Sequence, residues 1–250
     1  RLSRGAPLED TWLEEASAVL AEELWSRGIY GTAWKGNATY RQTLYCEVRP
    51  TFPECAGRPY SMFNAFAFLY DYIRLLETRT PLGPASFEDA TFYGSGWAFL
   101  RWAVDQSASP ESAFLAQLVQ ETSLTGVANL SARAGHPFDE LLSDWTLALY
   151  YENWGRIPLR PAWTMPSWNM EDVFVGMNQD FFQDFPDGHP LRGRGWLLGS
   201  FLLSVPSLPA GGWALFATSG THVVNQLLEF RSASDTPLPP RLRVQLLRLQ

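Results

Sequence analysis

The stretch Thr11 to Trp25, TWLEEASAVLAEELW, constrains the chain more than any other. Set at about 100° per residue, it reads as a helix of about four turns with Trp12, Leu13, Ala16, Val19, Leu20 and Leu24 on one broad apolar face. Glu14 points the opposite way, Glu15 and Glu22 share the border of that face, and Glu23 falls near its middle. A carboxylate is almost never fully buried without a partner, because desolvation disfavours its charged form. A helix that turns acid inward therefore needs a cation, an arginine or a metal to meet it. The alternative is a solvated helix whose border charges reach out to water.

Composition narrows what such a helix can belong to. The 250 residues hold enough chain for one large domain or two modest ones, and 46% apolar against 18% charged residues, with 11 Trp, describes an aromatic-rich globular protein. The formal net charge is −7, Lys35 is the lone lysine, and no Lys/Arg cluster occurs, which argues against a nucleic-acid partner. No apolar run approaches 18 residues, so no membrane-spanning helix is expected.

Three further stretches carry local signals. In CEVRPTFPEC, Cys46 and Cys55 close a short Pro-bearing loop, and a disulfide is expected there, with export as its implication; the other reading is two free buried thiols. Tyr60 to Glu77 is apolar almost all round and reads as a buried helix, with Asp71 and Arg74 three apart on its exposed edge. Phe92 to Gln106 reads as another helix: Gly94 and Gly96 allow close backbone approach, Trp97, Leu100 and Val104 share a face, and Arg101 and Asp105 stand at i, i+4 on a different one. A fourth helix opens at Ser109-Pro110-Glu111 and carries Phe114, Leu115, Leu118 and Val119 inward, followed by helices over Val127 to Ala134 and Pro137 to Tyr151. His136, between Gly135 and Pro137, reads as a loop residue. Two triplets, Asn37-Ala38-Thr39 and Asn129-Leu130-Ser131, match the N-glycosylation acceptor pattern. No nucleophile elbow, phosphate-cradling loop or dinucleotide fingerprint is present.

The string W-L-E-E-A-x-x-x-x-A-E-E, Trp12 to Glu23, resembles the third-ligand helix of gluzincin zinc peptidases, closest to the hyicolysin-like family. The run from Tyr93 to Tyr151 resembles the helical half of the same catalytic domain, in the same order. Y-x-x-G at Tyr93 also looks like the gluzincin segment whose tyrosine hydroxyl donates to the oxyanion. The resemblance implies hydrolysis of peptide bonds by zinc-activated water, with Glu15 as a zinc ligand and Tyr93 stabilising the transition state. Glu22 or Glu23 would orient a ligand from behind or pair with an arginine. Neither His136, His189 nor His222 sits in an H-E-x-x-H pair, so the resemblance expects the remaining zinc ligands and the general base upstream of Arg1.

Beyond Asn153 the composition shifts. Residues 157–195 read as linker and loops, with a helical turn or two around Met170 to Met177. Short apolar runs then follow at Trp196 to Val205, Gly212 to Thr218, His222 to Phe230 and Leu242 to Leu249, separated by Pro and Gly. The expectation is an α+β chain: a mostly helical gluzincin-like lobe over residues 1–156, then a small antiparallel sheet or sandwich over 196–250. Two functions remain open, a secreted or cell-surface zinc metallopeptidase acting on peptide or protein, and a non-catalytic binding module that kept the scaffold and lost the metal.

Overall fold

The computed structural model describes residues 8–55, 62–120, 123–197, 207–219 and 242–245. Everything is arranged about α4, Thr91–Gln106. From Thr91 to Asp105 every residue of this helix except Tyr93 is buried, so it runs through the core rather than along it. Its two glycines explain how. A Cβ on Gly94 would meet the backbone of Leu69 and lie 2.5 Å from the Ala65 carbonyl oxygen, while one on Gly96 would lie 3.4 Å from Ala16 Cβ and 3.3 Å from the Pro81 carbonyl oxygen. Gly94 thus lets α3 (Phe63–Arg74) come against α4 on one side, and Gly96 admits α1 (Thr11–Tyr30) on the other.

The first helix runs one turn beyond the expected segment and stops at Gly31, whose φ of 70° lies in the left-handed region that favours glycine. It buries Trp12, Leu13, Ala16, Leu20 and Glu23, with Val19 packed at the margin. The shorter α5 (Glu111–Gln120), α6 (Gly126–Ala134) and α7 (Phe138–Asn153) follow in the expected order. Trp97, Trp102, Trp145 and Trp168 are fully enclosed. Side chains of this size contribute on the order of 2–3 kcal/mol each on burial.

The small α2 (Leu44–Val48) leads into the expected disulfide, Cys46–Cys55, whose short loop is worth about 2–3 kcal/mol. Asp180, ending α8 (Met170–Asp180), fixes this loop by pairing with Arg49 and accepting from the Tyr40 hydroxyl at 2.6 Å. The Arg49 guanidinium and the Tyr40 hydroxyl hold the Asp180 carboxyl below the usual range against a smaller opposing effect of burial.

Several expectations require correction. Within the stretch read as linker, Trp163, Met165, Trp168, Met170, Val173, Phe174, Met177, Phe185 and Leu191 join the main core cluster, so the helical lobe continues past residue 156. These apolar residues are spaced irregularly around prolines, and only packing reveals them as core. Val119 is exposed rather than inward, and Arg74 lies over the Tyr70 ring. Among the described residues the sheet is one pair, β1 (Arg194–Leu197) and β2 (Phe216–Ser219), and it is parallel, not antiparallel. The Trp213 indole donates to the Tyr72 hydroxyl at 2.9 Å, so the segment before β2 packs on α3. The run from His222 to Phe230 lies outside the described residues, and Leu242 to Gln245 form no strand.

Candidate functional site

The two residues singled out for chemistry, Glu15 and Tyr93, lie on α1 and α4. Ala16 of α1 faces Gly96 of α4; Glu15 is the residue before Ala16, and Tyr93 lies one turn before Gly96. Both are partly exposed, and among the described residues neither side-chain oxygen has a hydrogen-bond or ion-pair partner. Tyr93 packs its ring against Phe92 and Phe68, with centroids 4.1 and 6.2 Å away, which holds the ring while leaving its hydroxyl uncommitted.

Glu22 is exposed, whereas Glu23 is fully buried. Its Oε2 accepts from the Trp97 indole at 2.7 Å and its Oε1 from the Trp168 indole at 3.2 Å. Arg101 stands 3.5 Å from Oε1 and Arg27 stands 3.7 Å from it. Burial pushes the Glu23 carboxyl up from the ordinary range, opposed by Arg101 and by the Trp97 hydrogen bond. The inward acid is therefore answered by arginine and indole donors.

Around this carboxylate the network extends. Arg101 donates to Asp105 at 3.0 Å and to Glu111 at 2.6 Å, and Arg27 grips Glu111 with both terminal nitrogens at 2.6 and 2.8 Å. Burial alone would raise Glu111, but the hydrogen bonds from Arg27 and Arg101 outweigh it and hold the carboxyl low. Asp105 also accepts from the Trp34 indole and the Ser167 hydroxyl, each at 2.8 Å. Three carboxylates and two guanidiniums bind α1, α4, α5 and the segment before α8 into one unit. This network ties the docking of these helices together, while the Nε atoms of Arg27 and Arg101 are buried without a hydrogen-bond partner.

A second polar region was not foreseen from the sequence. Glu152, Gly155 and Arg156 at the end of α7, Asn37, and Asn169 and Glu171 at the start of α8 line a cavity of about 310 Å³. Burial pushes the Glu152 carboxyl up to about 7, partly offset by the Met165 N–H that donates to it at 3.1 Å, while Glu171 raises it further. The two acids stand nineteen positions apart, and Glu171 reads as an ordinary first-turn acid of a helix, so no local pattern pairs them.

Elsewhere, His136 is exposed in the loop between α6 and α7. His189 stacks on Trp154 at 4.5 Å with its Nδ1 2.6 Å from the Asn153 carbonyl oxygen. Among the described residues no group of three His, Cys, Asp or Glu is arranged to hold a metal. No helix among them is long and apolar enough to cross a membrane. The chain matches no family model, no curated protein and no solved structure.

Proposed function

We propose that this chain is the downstream part of an exported zinc metallopeptidase catalytic unit that hydrolyses peptide bonds. The observation that carries the reading is that Glu15 of α1 and Tyr93 of α4 are partly exposed and, among the described residues, have no hydrogen-bond or ion-pair partner, on two helices that meet where Ala16 faces Gly96. A carboxylate at the margin of a rigidly docked helix is available as a ligand without breaking any contact, so Glu15 fits the third position of a two-histidine, one-carboxylate zinc site. It fits only as one member of the set, with the two histidines and the general base supplied from upstream of Arg1. When bound, zinc supplies Lewis-acid activation of water.

The chain's own residues do the remaining work in this reading. Tyr93 donates its hydroxyl to the oxygen of the scissile carbonyl as negative charge develops there, an interaction stronger in the transition state than in the ground state. Glu23 lies two turns beyond Glu15 and is locked by Trp97, Trp168 and Arg101, so it fixes the rotation of α1 and with it the direction of Glu15. The earlier expectation of an arginine partner applies to Glu23, while Glu22 is turned to solvent. The disulfide supports the exported setting.

The test is Glu15→Gln in the full-length protein, measuring bound zinc and peptide hydrolysis together. Zinc content and kcat are expected to fall in parallel, with Tyr93→Phe lowering kcat about 10²-fold at unchanged zinc content. A wild-type product that binds neither zinc nor substrate analogues would overturn the peptidase reading and leave the non-catalytic binding module.

A further inference from the structure

As sequence patterns, Asn37-Ala38-Thr39 and Asn129-Leu130-Ser131 are equivalent acceptor triplets. The fold separates them. Asn129 is fully buried in α6, and its Nδ2 donates to Glu9 Oε2 at 3.0 Å and to the Leu118 carbonyl oxygen at 3.1 Å. Both amide protons are committed, so a sugar on that nitrogen would remove a donor from a buried pair of acceptors and force bulk into the α5–α6 contact.

Asn37 is the opposite case. It is exposed, lies at φ 48°, a left-handed conformation that asparagine tolerates, and among the described residues its side chain has no hydrogen-bond partner. Its backbone is nevertheless held, because Asn37 N–H donates to the Pro166 carbonyl at 2.8 Å and Ala38 N–H to the Ser167 carbonyl at 2.9 Å. The turn thus presents the amide outward from a fixed base. Thr39, which completes the triplet, bonds only locally through its hydroxyl, to Gln42 at 3.0 Å.

We infer that Asn37 is a modification site, the acceptor of an N-linked oligosaccharide, and that Asn129 is not one in the folded protein. In the transfer, Asn37 Nδ2 bonds to C1 of the first sugar of a polyprenyl-diphosphate-linked oligosaccharide. The C1–O bond to the diphosphate breaks, polyprenyl diphosphate leaves, and one amide proton is released to the transferase. Because Asn37 also lines the cavity with Glu152 and Glu171, the glycan would stand at the rim of that cavity. The inference rests on the exported setting of the proposed function and not on zinc, so its outcome is independent of peptidase activity.

The experiment is secretion of the full chain from a eukaryotic cell that glycosylates a control protein in parallel, followed by intact mass and endoglycosidase treatment of the folded fraction. One endoglycosidase-sensitive glycan is expected on the wild type and on Ser131→Ala, and none on Asn37→Asp or Thr39→Ala. Asp suits the left-handed turn, and Thr39→Ala leaves Asn37 untouched, so loss of the glycan in both is not a folding effect. An unmodified wild type, a glycan retained by Thr39→Ala, or a glycan mapped to Asn129 in folded protein would each overturn the inference.

Discussion

Glu23 shows how much one side chain can commit a fold. A carboxylate enclosed among Trp97, Trp168, Arg101 and Arg27 satisfies two indole donors and offsets a guanidinium that is itself fully buried. Removing one partner of such a set leaves the other charges uncompensated in low dielectric, which costs far more than the net worth of the pair. Glu23→Ala is therefore expected to lose about 3–5 kcal/mol of unfolding free energy in a denaturant titration. Glu23→Gln should lose distinctly less, because its amide oxygen still accepts an indole N–H. Equal losses for the two would show that the negative charge facing Arg101 and Arg27, and neither side-chain volume nor the remaining acceptor, is what matters at this position.

At the scale of elements, the α1–α4–α3 stack depends on glycines whose absent side chains set the interhelical spacing. Gly94 lies against α3 backbone that cannot rotate away, whereas the neighbours of Gly96 stand at 3.3 Å or more and can yield by a few tenths of an ångström. Gly94→Ala should destabilise by about 2–3 kcal/mol, beyond the roughly 1 kcal/mol that alanine gains in helix propensity. Gly96→Ala should change stability by less than about 1 kcal/mol in either direction, since the propensity gain offsets the tighter contact. Thermal melts of the two variants decide this, and a Gly94→Ala melt as high as wild type would refute the close α3–α4 approach. If the peptidase reading holds, the Gly96 variant is also the sharper functional probe, because it shifts α1, which carries Glu15, against α4, which carries Tyr93.

For the whole molecule, the raised Glu152 links stability to pH. Its carboxyl ordinarily ionises near 4.5 and in the fold near 7, so between those values the native state holds a proton that the unfolded chain has released. Stability is then present in full below about 4.5, declines as pH rises through about 7, and levels off above it, a contribution of about 2 kcal/mol after allowing for solvent at the cavity mouth. Glu152→Gln keeps an oxygen for the Met165 N–H and cannot ionise. It should unfold at higher denaturant than wild type at pH 8 and at the same concentration at pH 4. Superimposable curves for wild type and variant at both pH values would show that burial does not hold the proton on Glu152.

What the sequence determined by itself was local. The period of apolar residues in α1, α3, α4, α6 and α7 is enforced by side-chain geometry along one helix, so their existence and order were legible before any packing was known. The Cys46–Cys55 disulfide was expected from two thiols nine residues apart around prolines, and the fold decides for it over two free buried thiols. The inward pointing of Glu23 was legible too, but its partners were not, because Trp97, Arg101 and Trp168 lie 74 to 145 residues away along the chain. Only tertiary structure could decide that Arg101 and not a metal meets this acid, that the proline-rich stretch around Trp163 and Trp168 is core, and that β1 pairs parallel with β2. Each of these depends on contacts between distant segments, whose free energy comes from burial and charge compensation and leaves no periodic trace in either segment alone.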